Sequence, residues 1–87
     1  CFRRAVEIEP EMARAHAALS YVFLYRAIYE EPEMRRGLLE MATASAMRAV
    51  MLDDRDSLCH CVLGRAYSMQ GRYEEAIAEL EKTLELN

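Results

Sequence analysis

The chain has 87 residues, 53% of them hydrophobic, and its 15 acidic and 11 basic residues leave a net charge of -4. That length allows one small domain burying only roughly 60% of the surface its unfolded form exposes. Scattered basic residues argue against binding a phosphate backbone, which needs clustered Lys and Arg. No apolar run approaches the roughly 20 residues of a membrane span, because Arg26 ends the longest, Ala17 to Tyr25. The expected partners therefore include neither nucleic acid nor membrane.

In chain order, Phe2, Ala5, Val6 and Ile8 form a helical stripe that Pro10 should stop. Opening on Cys1 in mid-helix, the chain reads as a piece of something longer. Glu11 to Tyr29 predicts a longer helix whose apolar stripe runs through Met12, Ala15, His16, Leu19, Val22, Phe23, Arg26 and Ala27. Glu30-Glu31-Pro32 should break it, and an Ala- and Met-rich helix follows from about Glu33 to Leu52. Asp53-Asp54-Arg55-Asp56 is a polar break in which Asp54 or Asp56 can cap the next helix. Two helices complete the chain, Ser57 to Met69 and Arg72 to Leu86, joined by a turn at Gln70-Gly71-Arg72. No signal peptide is visible. The cysteine count is odd, and Cys59 and Cys61 point about 200° apart on a helix, so free thiols and a reducing, cytoplasmic setting are expected.

The sequence repeats itself. An offset of 44 aligns His16 with His60, Leu19 with Leu63, Phe23 with Tyr67, Phe2 with Ala46, Ala5 with Ala49 and Val6 with Val50. An offset of 34 aligns Ala46 with Leu80, Ala49 with Thr83, Val50 with Leu84 and Leu52 with Leu86, so ten residues are inserted between Phe23 and Ala42. Self-similarity at such periods predicts an all-α stack of antiparallel helical hairpins, each of which buries its apolar face only against its neighbours.

His60-x-x-Leu63-Gly64-x-x-Tyr67, followed in register by Gly71, Tyr73, Ala76, Leu80 and Leu84, resembles the tetratricopeptide repeat, with His60 in the slot of the leading aromatic. His16, Leu19, Ser20 and Phe23 with Ala42, Ala46 and Ala49 resemble a second copy, in which Ser20 replaces the Gly and Asp54 the closing Pro. The resemblance implies one domain over residues 1–87, a superhelical solenoid: 1–10 the second half of a truncated repeat, 13–56 a repeat carrying the insertion, and 57–87 a repeat. It also implies that Gly64 and Ala76 let paired helices touch while Tyr67 and Leu80 fill the space between them.

Catalytic and metal chemistry find little support in the residues. Equivalent placement of His16 and His60 in successive repeats favours packing, and no Glu stands three residues before either. In Cys59-His60-Cys61, consecutive helical side chains point about 100° apart and cannot close one tetrahedral site. Glu30-Glu31 and Glu74-Glu75 read as a loop and a first helical turn. With no Gly-rich phosphate loop and no positioned nucleophile and base, the chain reads as a non-enzyme without metal or cofactor.

What the resemblance implies functionally is a protein-interaction scaffold that binds a peptide or helix on a concave face formed by the first helix of each repeat. The groove set would be Arg14, Ala17, Tyr21, Leu24 and Tyr25 with Leu58, Cys61, Arg65 and Ser68. The Lys, Asn and Arg clamp that some members use for a terminal carboxylate does not match here, because Ala17, Ala18 and Tyr21 occupy the middle repeat's positions. An apolar, aromatic groove with isolated Arg favours a peptide anchored by its side chains.

Shared between two helices, the insertion adds about five residues or roughly 7.5 Å to each, so the middle hairpin should overhang its neighbours. Tyr25, Ile28, Tyr29, Met34 and Leu38 would form an exposed interface there, and Leu80, Thr83, Leu84 and Leu86 on the last helix would await a cover. Self-association through either surface is expected. The alternative function is an oligomerisation or spacer arm of a larger regulatory or catalytic protein with no separate ligand.

Overall fold

The computed structural model describes the backbone of residues 2–86 and the side chains of residues 11–86. The chain is all-α: α1 spans Phe2–Ile28, α2 Pro32–Leu52, α3 Ser57–Met69 and α4 Tyr73–Leu86, with no strand among the described residues. α1 pairs with α2 and α3 with α4, and the hairpins meet where α3 packs on both α1 and α2. Helix α3 is therefore the sandwiched element. It buries Cys59, Val62 and Ala66 on one flank and His60, Leu63, Gly64 and Tyr67 on another, whereas α4 buries only Ala76.

One expected boundary does not exist. α1 runs unbroken through Pro10. A proline forfeits one intrahelical hydrogen bond and disfavours the α conformation in the residue before it, which makes it a frequent but not an obligatory helix end. The side chains of Phe2, Ala5 and Val6, expected to complete a preceding repeat, lie outside the described residues.

The stripe that α1 buries also differs from the expected one. Ala13, Ala17, Ser20, Leu24 and Ala27 face inward, spaced as one helical face. Of the expected stripe, Ala27 is buried and His16 and Phe23 are half-buried, while Met12, Leu19 and Val22 are about half exposed and Ala15 and Arg26 are exposed. Leu63, at the position equivalent to Leu19, is buried because α3 has neighbours on two sides. Choosing small residues for the face turned to α2 lets the helices approach closely, since Ala42, Ala46 and Ala49 on α2 are fully buried as well.

The connections follow local chemistry. α1 ends as Tyr29 and Glu30 donate backbone N–H groups to Arg26 and Ala27, and the Arg35 guanidinium donates to the carbonyls of Ala27 at 3.0 Å and Glu30 at 3.1 Å. A cation there also complements the negative end of the helix dipole. Pro32 then starts α2, where its missing N–H costs nothing. Asp56 caps α3 by accepting the Leu58 N–H at 2.9 Å. At the other end Gly71 adopts φ +80°, while Gly71 and Arg72 donate to the carbonyls of Ser68 and Tyr67. That is the Schellman closure, and it requires a left-handed residue at the position Gly71 fills.

α2, at 21 residues, exceeds α4, at 14, by half the length of the latter. The middle hairpin is accordingly the longer one. At its far end Tyr25, Ile28, Tyr29 and Met34 are all more than half exposed, and the Tyr25 and Tyr29 rings meet one turn apart in a tilted pair, 56° between planes, with centroids 5.6 Å from each other. Leu38 corrects the expected overhang set: it is buried beside Leu39, because its position on α2 turns it to the core rather than to solvent.

Candidate functional site

Parallel placement of α1 and α3 leaves a groove along the seam between them. Its centre is a bridge: the Arg65 guanidinium donates to the Tyr21 hydroxyl at 2.8 Å and lies over the Tyr21 ring, 5.6 Å from the centroid. These residues stand at equivalent positions of successive hairpins, 44 apart in sequence. Each exposed side chain thus anchors the other, combining a hydrogen bond with a cation–π contact.

The bridge separates two cavities. Towards the C-terminal ends of the helices, Tyr21, Leu24, Tyr25, Ile28, Arg65, Ser68 and Met69 enclose about 290 Å³. Towards the N-terminal ends, Arg14, Ala17, Ala18, Tyr21, Val22, Leu58 and Val62 enclose about 380 Å³, almost wholly apolar. Among the described residues no Asp or Glu lines either cavity. Arg14 is already engaged, its Nε donating to Asp56 at 3.0 Å, which ties α1 to the start of α3. Its guanidinium, paired with that carboxylate, is held in the charged form even more firmly than usual. Arg65 is therefore the groove's less committed cation.

The residues expected in the groove fall into three groups. Arg14, Tyr21, Tyr25, Leu58, Arg65 and Ser68 line it with exposed side chains. Ala17 and Leu24 line it too, as buried floor residues packed between the helices. Cys61 is half-buried and lines neither cavity. Ala18, Val22, Ile28, Val62 and Met69 also line the cavities without having been expected in the groove; Ile28 was expected in the overhang, and each of the other four adjoins an expected groove residue in sequence.

Within the Cys59-His60-Cys61 triplet, Cys59 and His60 are buried and Cys61 is half-buried. Cys59 is fully buried, and burial followed by the nearby carboxylates of Asp56 and Asp53 pushes its thiol up to about 11. His60 is buried between hairpin elements, with Nδ1 2.7 Å from a Glu79 carboxylate oxygen on α4 and Nε2 2.7 Å from the Asp54 carbonyl. Both ring nitrogens are thereby occupied. Among the described residues no group of three His, Cys, Asp or Glu side chains could hold a metal ion, and no helix is long and apolar enough to cross a membrane.

Residues 57–87 match the family model described as Tetratricopeptide repeat. Those residues are the α3–α4 hairpin, in which the expected contact of small residues is present: a Cβ added at Gly64 would stand 3.4 Å from the Ala76 carbonyl and 3.0 Å from Leu80 Cγ. Neither the curated proteins nor the solved structures hold a significant match to the chain.

Proposed function

From the match of residues 57–87 to the tetratricopeptide repeat, a helical-repeat type that serves protein interaction, we propose that the chain is a scaffold binding a peptide or helix of a partner protein in the α1–α3 groove. The observation that carries this reading is the Arg65–Tyr21 bridge with a cavity on either side, the one towards the N-terminal ends almost wholly apolar. Apolar cavities bounded by a few oriented polar groups are what side-chain-anchored ligands need. The stacked hairpins supply a rigid wall, and the groove residues come from two helices whose spacing the core sets. No chemistry of its own is assigned to the chain. We place it in the cytoplasm, on the strength of the unpaired thiols of Cys59 and Cys61.

The test is capture of partner proteins by the parent chain, comparing wild type with Tyr21→Ala and Arg65→Ala. Loss of a specific partner with unchanged helicity and melting supports the groove. Retention of every partner by both variants refutes it.

A second reading rests on a separate observation, the exposed cluster of Tyr25, Ile28, Tyr29 and Met34 at the end of the longer hairpin. Such a patch suits an oligomerisation or spacer arm. Under that reading Tyr25→Ser with Tyr29→Ser dissociates the assembly by sedimentation while Tyr21→Ala and Arg65→Ala do not.

A further inference from the structure

The two cavities are lined from the same pair of helices at different heights. On α1 the lining residues centre near 24 for one and 18 for the other, and on α3 near 67 and 60. At 1.5 Å per residue the centres are about 10 Å apart along the groove. Each volume, about 290 and 380 Å³, is enough for one large apolar side chain. Between them stands the Arg65 guanidinium; among the described residues only one of its N–H donors is engaged and no carboxylate lines either cavity.

That spacing discriminates between backbone conformations. A β-strand places same-face side chains about 6.7 or 13 Å apart, matching neither. A polyproline helix places i and i+3 about 9.3 Å apart, but its intervening side chains point about 120° away and cannot meet Arg65. An α-helix places i and i+7 about 10.5 Å apart and sets i+3 and i+4 on the same face midway between them. Resting on the groove reading above, we infer that the α1–α3 groove takes an amphipathic helix of a partner, with large apolar side chains at i and i+7 in the two cavities and an Asp or Glu at i+3 or i+4 on Arg65. The carboxylate receives the remaining guanidinium donors, while Tyr21 holds the guanidinium in place. An acidic residue suits the groove by charge, since among the described residues the charged groups that line it are Arg14 and Arg65.

The probe is a set of fluorescein-labelled designed peptides on an Ala-rich helical host of about 20 residues, titrated by anisotropy with the 87-residue chain. The first carries Leu at i and i+7 and Glu at i+4. Relatives replace that Glu by Lys, move the second Leu to i+5, or present Leu at i and i+3 on a Pro-rich backbone. Binding of the first, weakened at least ten-fold by Glu→Lys and by the i+5 shift, is expected. Arg65→Ala should abolish the difference between Glu and Lys peptides, and Arg65→Lys should restore part of it. Equal binding of Glu and Lys peptides, or preference for the i+5 or Pro-rich peptide, overturns the helix and acid assignment. If that preference still vanishes in Tyr21→Ala, the groove reading survives; if no peptide depends on Tyr21 or Arg65, both fall.

Discussion

The Ser20 hydroxyl donates to the Ala42 carbonyl at 2.7 Å in the first hairpin, at the place where the second hairpin sets Gly64 against the Ala76 carbonyl. The two sites are equivalent by repeat, and they solve the same problem differently. Gly64 leaves room for α4 by having no side chain. Ser20 occupies the contact but satisfies its own polar atom inside a dry interface, where an unpaired hydroxyl would be costly.

Ser20→Ala should therefore lower stability by about 1 kcal/mol, the usual net worth of a hydrogen bond, read as a shift of the urea midpoint at constant m. Gly64→Leu should cost more than Ser20→Ala, because even one added carbon reaches Leu80 Cγ at 3.0 Å. Equal tolerance of both substitutions would mean that these helix contacts are not close-packed.

The His60 ring joins α3, α4 and the loop before α3 through Glu79 and the Asp54 carbonyl. Removing the Glu79 carboxylate strands a buried ring nitrogen, so Glu79→Ala should cost about 1–3 kcal/mol. Replacing both partners by apolar groups, His60→Phe with Glu79→Leu, should recover much of that loss. Chemical denaturation of the two single variants and the double gives the coupling directly.

For Cys59, the sign follows from an acid whose ionisation is disfavoured by folding. Its thiol is raised from an ordinary value of 9.0 to about 11, so between those pH values the unfolded chain releases the proton and the folded chain keeps it. The native state then binds more protons, and stability falls as pH rises through that window. Cys59→Ala should flatten the decline between pH 9 and 11. At neutral pH, mass spectrometry after iodoacetamide treatment should find Cys61, which is only half-buried, alkylated well before Cys59.

Gly71 is the one described non-helical glycine with positive φ, at +80°. Any side chain there meets the cost of the left-handed region, so Gly71→Ala should destabilise by about 1 kcal/mol. Gly37, within α2 and with open space around its Cβ position, should instead gain from Gly37→Ala, by up to about 1 kcal/mol. Opposite shifts in melting temperature would distinguish the two roles.

The α3–α4 hairpin was largely legible, although α4 begins at Tyr73 rather than Arg72 and Leu80, expected to fill the space between the helices, is 39% exposed. Ser57 and Met69 bound α3 as the periodicity predicts, Asp56 is the cap, and Gly71 the turn. Each of these rests on local chemistry: a side chain bonding the next N–H groups, or a backbone angle only glycine tolerates cheaply. Most of the candidate groove was legible for a related reason, since Tyr21 and Arg65 lie at equivalent positions of two repeats and repeats place equivalents side by side.

The remainder depended on what each helix packs against. Periodicity predicts a stripe of mostly large residues on α1 through Met12, His16, Leu19, Val22 and Phe23, whereas the buried stripe is one of Ala and Ser closed by Leu24. Close approach of α2 selects the small one, because helices meeting at Ala13, Ala17 and Ser20 cannot accommodate Leu19 or Val22 between them. The same selection turns Leu38 inward and places Ala17 and Leu24 on the groove floor. The sequence by itself determined the repeat, the turn at Gly71 and the placement of Tyr21 and Arg65 on the two groove-forming helices. Only the tertiary structure decided which face of α1 is buried and that the bridge divides one seam into two cavities, because both depend on the distance between helices, which no single helix encodes.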